Sequence, residues 1–279
     1  MDRIGSFTLG WGEGLLWDER RQRLYFVDCA THQLLWLDEG SDEPTVLAAP
    51  SMPAGIVATE DGRLVVALDD GLHLVDPDAG TWTLLSAYPD KLGARANDLC
   101  ADLDGNLITG TLNLEPGGGS AWWYSSTDGW RLLDDDIVNT NGPAVAEIDG
   151  VMTAIIGDTA AHYFSYPYSP AAGTVGPRSI FGDVSELEGG PDGATLDADG
   201  GLWCALFGGA QLARFTSSGL DRTLEVPFAN PTDVTFGGPD LDRLYVVSVA
   251  GDPEAPSLDG ALCVIDGLGP GRVEPRFQL

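Results

Sequence analysis

Short apolar runs, each followed by an acidic or glycine-rich turn, recur along the chain. One unit reads LLWDERRQRLYFVDCATHQLLWLD (15–38) and the next IVATEDGRLVVALDDGLHLVD (56–76). LCADLDGNLITGTLN with AWWYSS (99–126) and VAEIDGVMTAIIGDTAAHYFSY (145–166) follow. The last two units are ATLDADGGLWCALFGGAQLARFTSSG (194–219) and VTFGGPDLDRLYVVSVA with GALCVID (234–266). Within a unit, an apolar strand runs into a turn, commonly Asp-Gly as at Asp61-Gly62, Asp104-Gly105, Asp149-Gly150 and Asp199-Gly200. A second apolar strand and then an alternating one follow. Asp-Gly between apolar runs marks a hairpin, because glycine takes a positive φ without steric cost.

Equivalent points (Leu16, Val57, Leu99, Val145, Thr195, Val234) lie 41, 42, 46, 50 and 39 residues apart. That period is the length of a four-stranded propeller blade. A small antiparallel sheet cannot cover both of its faces alone, and packing sheets around an axis does so while leaving only short edges. No segment holds a sustained helical period with caps, which disfavours an α/β sheet. The pattern predicts an all-β fold: a six-bladed β-propeller of four-stranded antiparallel blades around a central channel, one domain over residues 1–279.

Composition narrows the partners. The chain has 43 acidic and 14 basic residues, a formal net charge of −29. Such a surface repels nucleic acid and anionic lipid. Most of the acids fall in turn-like stretches such as Asp134-Asp135-Asp136 and read as solubility or salt adaptation. The four cysteines, Cys29, Cys100, Cys204 and Cys263, are widely spaced with no C-x-x-C pair. They read as buried free thiols, which fits a reducing, cytoplasmic setting. The N-terminal stretch lacks the apolar core of a signal peptide, and no apolar run is long enough to span a membrane. The expected state is a monomer or weak homodimer acting on a small molecule.

Polar residues interrupt the repeat just before the first strand of a blade, where the chain would enter the channel. Glu13 sits between two glycines in GWGEGLLWD, and a surface turn would give the same pattern. ARANDL carries Arg95, Asn97 and Asp98. Arg95 and Asn97, two apart on a strand, share a face and suit a carbonyl or hydroxyls. NTNGPAV carries Asn139 and Asn141, although Asn-Gly is also an ordinary turn. Asp158 ends an apolar strand in IIGDT, and Asp192 lies in GGPDGATLDADG, where Asp197 and Asp199 read as hairpin-turn residues. His32, His73 and His162 lack this setting and read as structural. One Glu, one Asp and an Asn carbonyl form a hard, oxygen-rich set that suits Ca²⁺, Mg²⁺ or Mn²⁺ and also accepts Zn²⁺. No G-x-S-x-G elbow, P-loop, dinucleotide fingerprint or H-E-x-x-H is present. For hydrolysis this leaves a metal-assisted route, in which an ion polarises an ester carbonyl and activates water.

At these positions the sequence resembles the gluconolactonase/regucalcin (senescence marker protein) family of six-bladed propellers. The matching segments are LGWGEGLLWDERRQRLYFVD, ARANDLCADLDGNLITGT, NGPAV with IIGDT, PDGATLDADGGLWCA and PTDVTFGGPDLDRLYVVS, from residue 9 to about 250. The resemblance implies one divalent metal ion held by Glu13, Asn141 and Asp192. It implies that Arg95 and Asn97 hold the substrate, that Asp192 is also the general base, and that Asp158 supports the site from behind. The expected activity is opening of a sugar lactone or related cyclic ester. The segment GTLNLEPGGG departs from the family pattern and makes Asn113 or Glu115 further substrate-binding candidates. Pro143 and Phe207 are departures as well and bear on the choice of substrate. Two other readings stay open: a cation- or ligand-binding propeller without hydrolysis, and a phosphotriesterase or biosynthetic enzyme on the same scaffold.

Overall fold

The computed structural model describes residues 1–89, 95–112, 118–160, 162–251 and 258–279. Its strands form six antiparallel sheets, each the blade of a propeller, and no α-helix occurs among the described residues. Blade one comprises Gly12–Asp18, Arg23–Asp28, Gln33–Asp38 and Thr45–Ala48, in chain order from the hub outward. Blades two, three and five repeat this order, starting at Ile56–Ala58, Arg95–Ala101 and Gly190–Leu196. Blade four starts at Thr140–Ile148 and carries the additional short strand Thr174–Val175 beside its outer strand Ser179–Gly182.

Blade six closes the ring. The last sequence unit supplies only Pro231–Gly237, Arg243–Ser248 and Leu262–Asp266. Its outer strand is Asp2–Ile4 from the opposite end of the chain, paired antiparallel as Arg3 with Cys263. Blade six therefore combines an N-terminal strand with three strands from residues 231–266.

The apolar pattern is explained by where each strand lies. Inner strands are mostly buried, Gly12–Asp18 and Pro231–Gly237 along their whole length, whereas outer strands such as Gly219–Glu225 are largely exposed. Among the described residues the core divides into six clusters, one between each pair of neighbouring blades. Tyr25, Val27 and Trp36 of blade one meet Ile56, Leu64 and Val66 of blade two. Leu202, Cys204 and Phe215 of blade five meet Ile155 and Tyr163 of blade four. Each interface buries apolar area whose removal from water favours docking of the blades.

Residues 270–279 cross the lower face. Pro270 O accepts from Ala198 N, Arg272 Nη2 donates to Val145 O, Phe277 N donates to Ala58 O and Gln278 N to Gly105 O. This tail ties blades two to five together and floors the channel. Between it and the hub lies a cavity of about 50 Å³ lined by Asp98, Thr195, Asp233 and Glu274, among others.

Candidate active site

The hub is built by one local irregularity repeated around the ring. In blade one the pairing register shifts between Glu13 and Leu16. The shift recurs at Ala96/Leu99, Asn141/Ala144, Pro191/Ala194 and Pro231/Asp233. In blade two, Ala54 N donates to Ala67 O while Ala67 N donates to Gly55 O, so two residues again face one. A bulge re-aims side chains that a regular strand would alternate between faces. At or just before these bulges lie Glu13, Ala54, Asn97, Asn141, Asp192 and Thr232, which form a first ring. The second ring is Gly14, Gly55, Asp98, Gly142, Gly193 and Asp233.

The spacing of the inner strands selects glycine in much of the second ring. A Cβ on Gly14 (φ 59°) would lie 2.4 Å from Ala54 O, and one on Gly142 (φ 48°) 2.7 Å from Asp192 O. The two aspartates of that ring make the complementary contact. Asp98 Oδ2 accepts from Gly142 N at 2.7 Å, and Asp233 Oδ2 accepts from Leu15 N at 2.6 Å. Each ties its own blade to the next one round.

Glu13, Asn97, Asp98, Asn141, Asp192 and Asp233 are all buried. Glu13 Oε1 accepts from Trp11 Nε1 at 3.0 Å, while Oε2 is buried without a hydrogen-bond partner. Burial, and next the charge of Asp98, push the Glu13 carboxyl up to about 8. Burial pushes Asp98 up to about 6. Asp192 lies well above its ordinary range through burial and the charges of Glu13, Asp98 and Asp233. Asp233 is raised by burial, Asp98 and Glu13. Four carboxyl groups from blades one, three, five and six thus sense one another across the axis, with too little positive charge to hold them all ionised.

Asn141 is fixed on both sides of its amide. Its Nδ2 donates to Thr159 Oγ1 at 2.5 Å and to Pro191 O at 3.4 Å, and its Oδ1 accepts from Asn97 Nδ2. Asn97 also donates to Thr140 O at 3.0 Å. The hydroxyl of the buried Tyr163 donates to Asp192 O and holds that backbone from behind. Arg95 is half-buried, with its guanidinium carbon 5.8 Å from the centre of the Trp11 ring.

Glu13, Asn97, Asn141 and Asp192 therefore share the hub, and Arg95 lies beside Trp11. Asp158 is buried at the end of its strand, and its carboxylate accepts from the backbone N–H groups of Val138, Asn139 and Ala160. The hydroxyl beside it, Thr159, is what touches Asn141. Asn113 and Glu115 lie outside the described residues. The histidines stay apart: His32 occupies a turn, His73 Nε2 lies 2.8 Å from Asp70 Oδ1, and His162 faces Asp183. The four cysteines are free thiols. Asp233, Trp11, Asp28 and Thr159 were not singled out by the sequence, and Asp98 was noticed without a role. Superposing the repeats at their bulges is the signal that finds Asp98 and Asp233.

The donor set suits a hard cation. Glu13 Oε2 is a buried carboxylate oxygen with no partner, Asn141 offers a fixed carbonyl oxygen, and the surrounding carboxyls lack compensation. Among the described residues, no three His, Cys, Asp or Glu side chains are grouped as an ion site by themselves.

This bulged hub inside a six-bladed ring places the chain in a known class: it belongs to the SMP-30/gluconolactonase/LRE-like family, whose model matches residues 11–250. Among its relatives is a pentonolactonase of Haloferax volcanii, 30% identical over 96% of this chain and 91% of the relative. A 6-deoxy-6-sulfogluconolactonase of Pseudomonas putida is also 30% identical, over 95% of this chain and 94% of the relative. Among solved structures, a calcium-binding protein, regucalcin, from Agrobacterium tumefaciens superposes with a TM-score of 0.90. It is 27% identical, and the match covers 100% of this chain and 98% of that one. No helix among the described residues is long and apolar enough to cross a membrane.

Proposed function

We propose that this chain hydrolyses a sugar lactone to its hydroxy acid with one divalent cation held by Glu13, Asn141 and Asp192. The observation that carries the reading is the partnerless oxygen of Glu13 facing a hub of uncompensated carboxyl groups. Relatives named as lactonases supply the reaction class. When bound, the cation supplies Lewis acidity toward the ester carbonyl and its attacking water.

The protein's own groups do the rest. Arg95 and the Asn97 amide hold the carbonyl and hydroxyls of the ring. Asp192 takes a proton from the attacking water as its oxygen adds to the carbonyl carbon. The ring C–O bond then breaks, and the same carboxyl returns the proton to the departing ring oxygen. The product acid ionises, so each turnover releases one proton.

The test is acid release from a panel of pentono- and hexonolactones, with and without chelator, for the wild type and Asp192→Asn. The expected result is chelator-sensitive turnover that Asp192→Asn lowers by roughly 10²–10⁴, the usual range for loss of a general base. Undiminished activity after metal stripping rejects the mechanism. Tight Ca²⁺ binding with no acid release from any lactone would favour a binding role, like that of the calcium-binding regucalcin from Agrobacterium tumefaciens.

A further inference from the structure

We infer that Trp11 is a positioning residue for Glu13: its indole N–H fixes one carboxylate oxygen and leaves the other turned to the hub as the ligand. The inference rests on the metal reading proposed above. Trp11 lies two residues before Glu13, and its backbone is immobilised. Trp11 N donates to Asp28 Oδ1 at 3.0 Å, its carbonyl accepts from Cys29 N at 2.9 Å, and it pairs with Val249 of blade six. From that anchored position Nε1 donates to Glu13 Oε1 at 3.0 Å.

The choice of side chain matters. An indole is a donor only, so it can orient a carboxylate but cannot compete with it for a cation. With Oε1 engaged, rotation of the Glu13 carboxyl breaks that hydrogen bond, and Oε2 is held where it has no other partner. Arg95 lies over the indole ring and joins a proposed substrate-binding group to the same unit.

The opposite blade repeats the device with different chemistry. Asp158 holds the Asn139 backbone as Asp28 holds that of Trp11. Asn139, two residues before Asn141, donates to Thr159 Oγ1, which also accepts from Asn141 Nδ2. In both blades a strand-end aspartate clasps the lead-in turn, and the residue two before the hub side chain helps to set that side chain's orientation. Partners that orient metal ligands in this way typically change affinity by about 10–100-fold when removed.

Trp11 also packs against the apolar cluster between blades one and two, so packing must be separated from donation. Trp11→Phe keeps an aromatic ring and loses the donor. Trp11→His restores it, because the path Cβ–Cγ–Cδ2–Nε2 of histidine matches the path Cβ–Cγ–Cδ1–Nε1 of tryptophan bond for bond. Mn²⁺ is titrated calorimetrically into metal-stripped wild type and both variants, each checked by thermal melting. The expected result is a Kd about tenfold weaker for Trp11→Phe and restored to within about threefold for Trp11→His. A Trp11→Phe protein that binds Mn²⁺ as tightly as a binding-competent wild type overturns the role of Trp11 and leaves the metal reading standing. Equal losses in both variants assign the effect to packing and also overturn it. A wild type that takes up no Mn²⁺ sinks the metal reading and this inference together.

Discussion

The two ends of the channel handle buried charge in opposite ways. At the lower end every buried carboxylate of the hairpin turns is matched. Asp18 meets Arg276 Nη2 at 2.5 Å, and Asp197 meets Arg214 Nε at 2.6 Å. Asp102 accepts from the backbone N–H groups of Asp104 and Asn106 and from the Tyr168 hydroxyl. At the hub, equally buried Glu13, Asp98, Asp192 and Asp233 face one another, and their carboxyls titrate above the ordinary range. A buried charge costs several kcal/mol unless it is compensated. The lower end removes that cost within the chain, and the hub leaves it standing. On the reading proposed above, the hub is where a cation would offset that cost, and the lower end ties the tail to the blades.

The largest expected effect breaks the stable end. Arg276→Ala leaves Asp18 buried and deprives the tail of its contacts with Glu19 and Thr59. Loss of one partner from a buried pair costs about 3–5 kcal/mol. Urea unfolding should show that loss, while the Mn²⁺ affinity of the remaining folded protein stays unchanged. A variant that unfolds like the wild type but loses Mn²⁺ would reverse the division between the two ends.

A change of pH probes the hub instead. Glu13 rises from an ordinary 4.5 to about 8 on folding, and Asp98 from 3.8 to about 6. Between the lower and upper values the folded protein binds more protons than the unfolded chain, so stability falls as pH increases. The contribution of Glu13 is complete below its ordinary value and is lost as pH rises to about 8. The slope is at most about 1.4 kcal/mol per pH unit for each such group. Thermal melts of metal-stripped protein from pH 5 to 8 should show a falling Tm, which saturating Mn²⁺ flattens by replacing the protons. A Tm that rises over this range without metal would contradict the picture of an uncompensated hub.

The contrast between the two ends also explains what the sequence made legible. Blade number, hairpins and strand order followed from apolar periodicity, because every inter-blade cluster needs the same alternation. Asp192 and Asp197 lie five residues apart in PDGATLD; Asp197 reads as a turn residue, and Pro-Asp-Gly is compatible with a turn at Asp192 too, which the family resemblance singles out. One sits on a bulge at the hub, and the other clamps a hairpin and an arginine. A bulge changes which way a side chain points without changing composition, so the pattern alone does not separate the two. Asp233 was missed for that reason, and Trp11 because an aromatic before an apolar strand reads as core. The sharing of blade six between the two ends of the chain was equally hidden. A three-residue strand at Asp2–Ile4 has no periodicity to detect.

The smallest effect tests how finely the hub is set. Thr159 Oγ1 accepts from Asn141 Nδ2 at 2.5 Å and donates to Pro191 O at 2.8 Å. Together with Asn97, which donates to Oδ1, it holds the nitrogen side of the Asn141 amide toward blade five and the oxygen side toward blade three. Thr159→Val keeps the side-chain shape and removes both bonds. The amide then retains only the 3.4 Å contact to Pro191 O on its nitrogen side, and its two faces become closer in energy. Mn²⁺ affinity should fall about tenfold, the lower bound for loss of a group that orients a ligand, with little change in Tm. Comparable changes at the lower end are expected to lower stability alone. A Thr159→Val variant that loses Tm but keeps its Mn²⁺ affinity would show that the Asn97 contact alone sets the Asn141 amide and that Thr159 serves stability, like the contacts of the lower end.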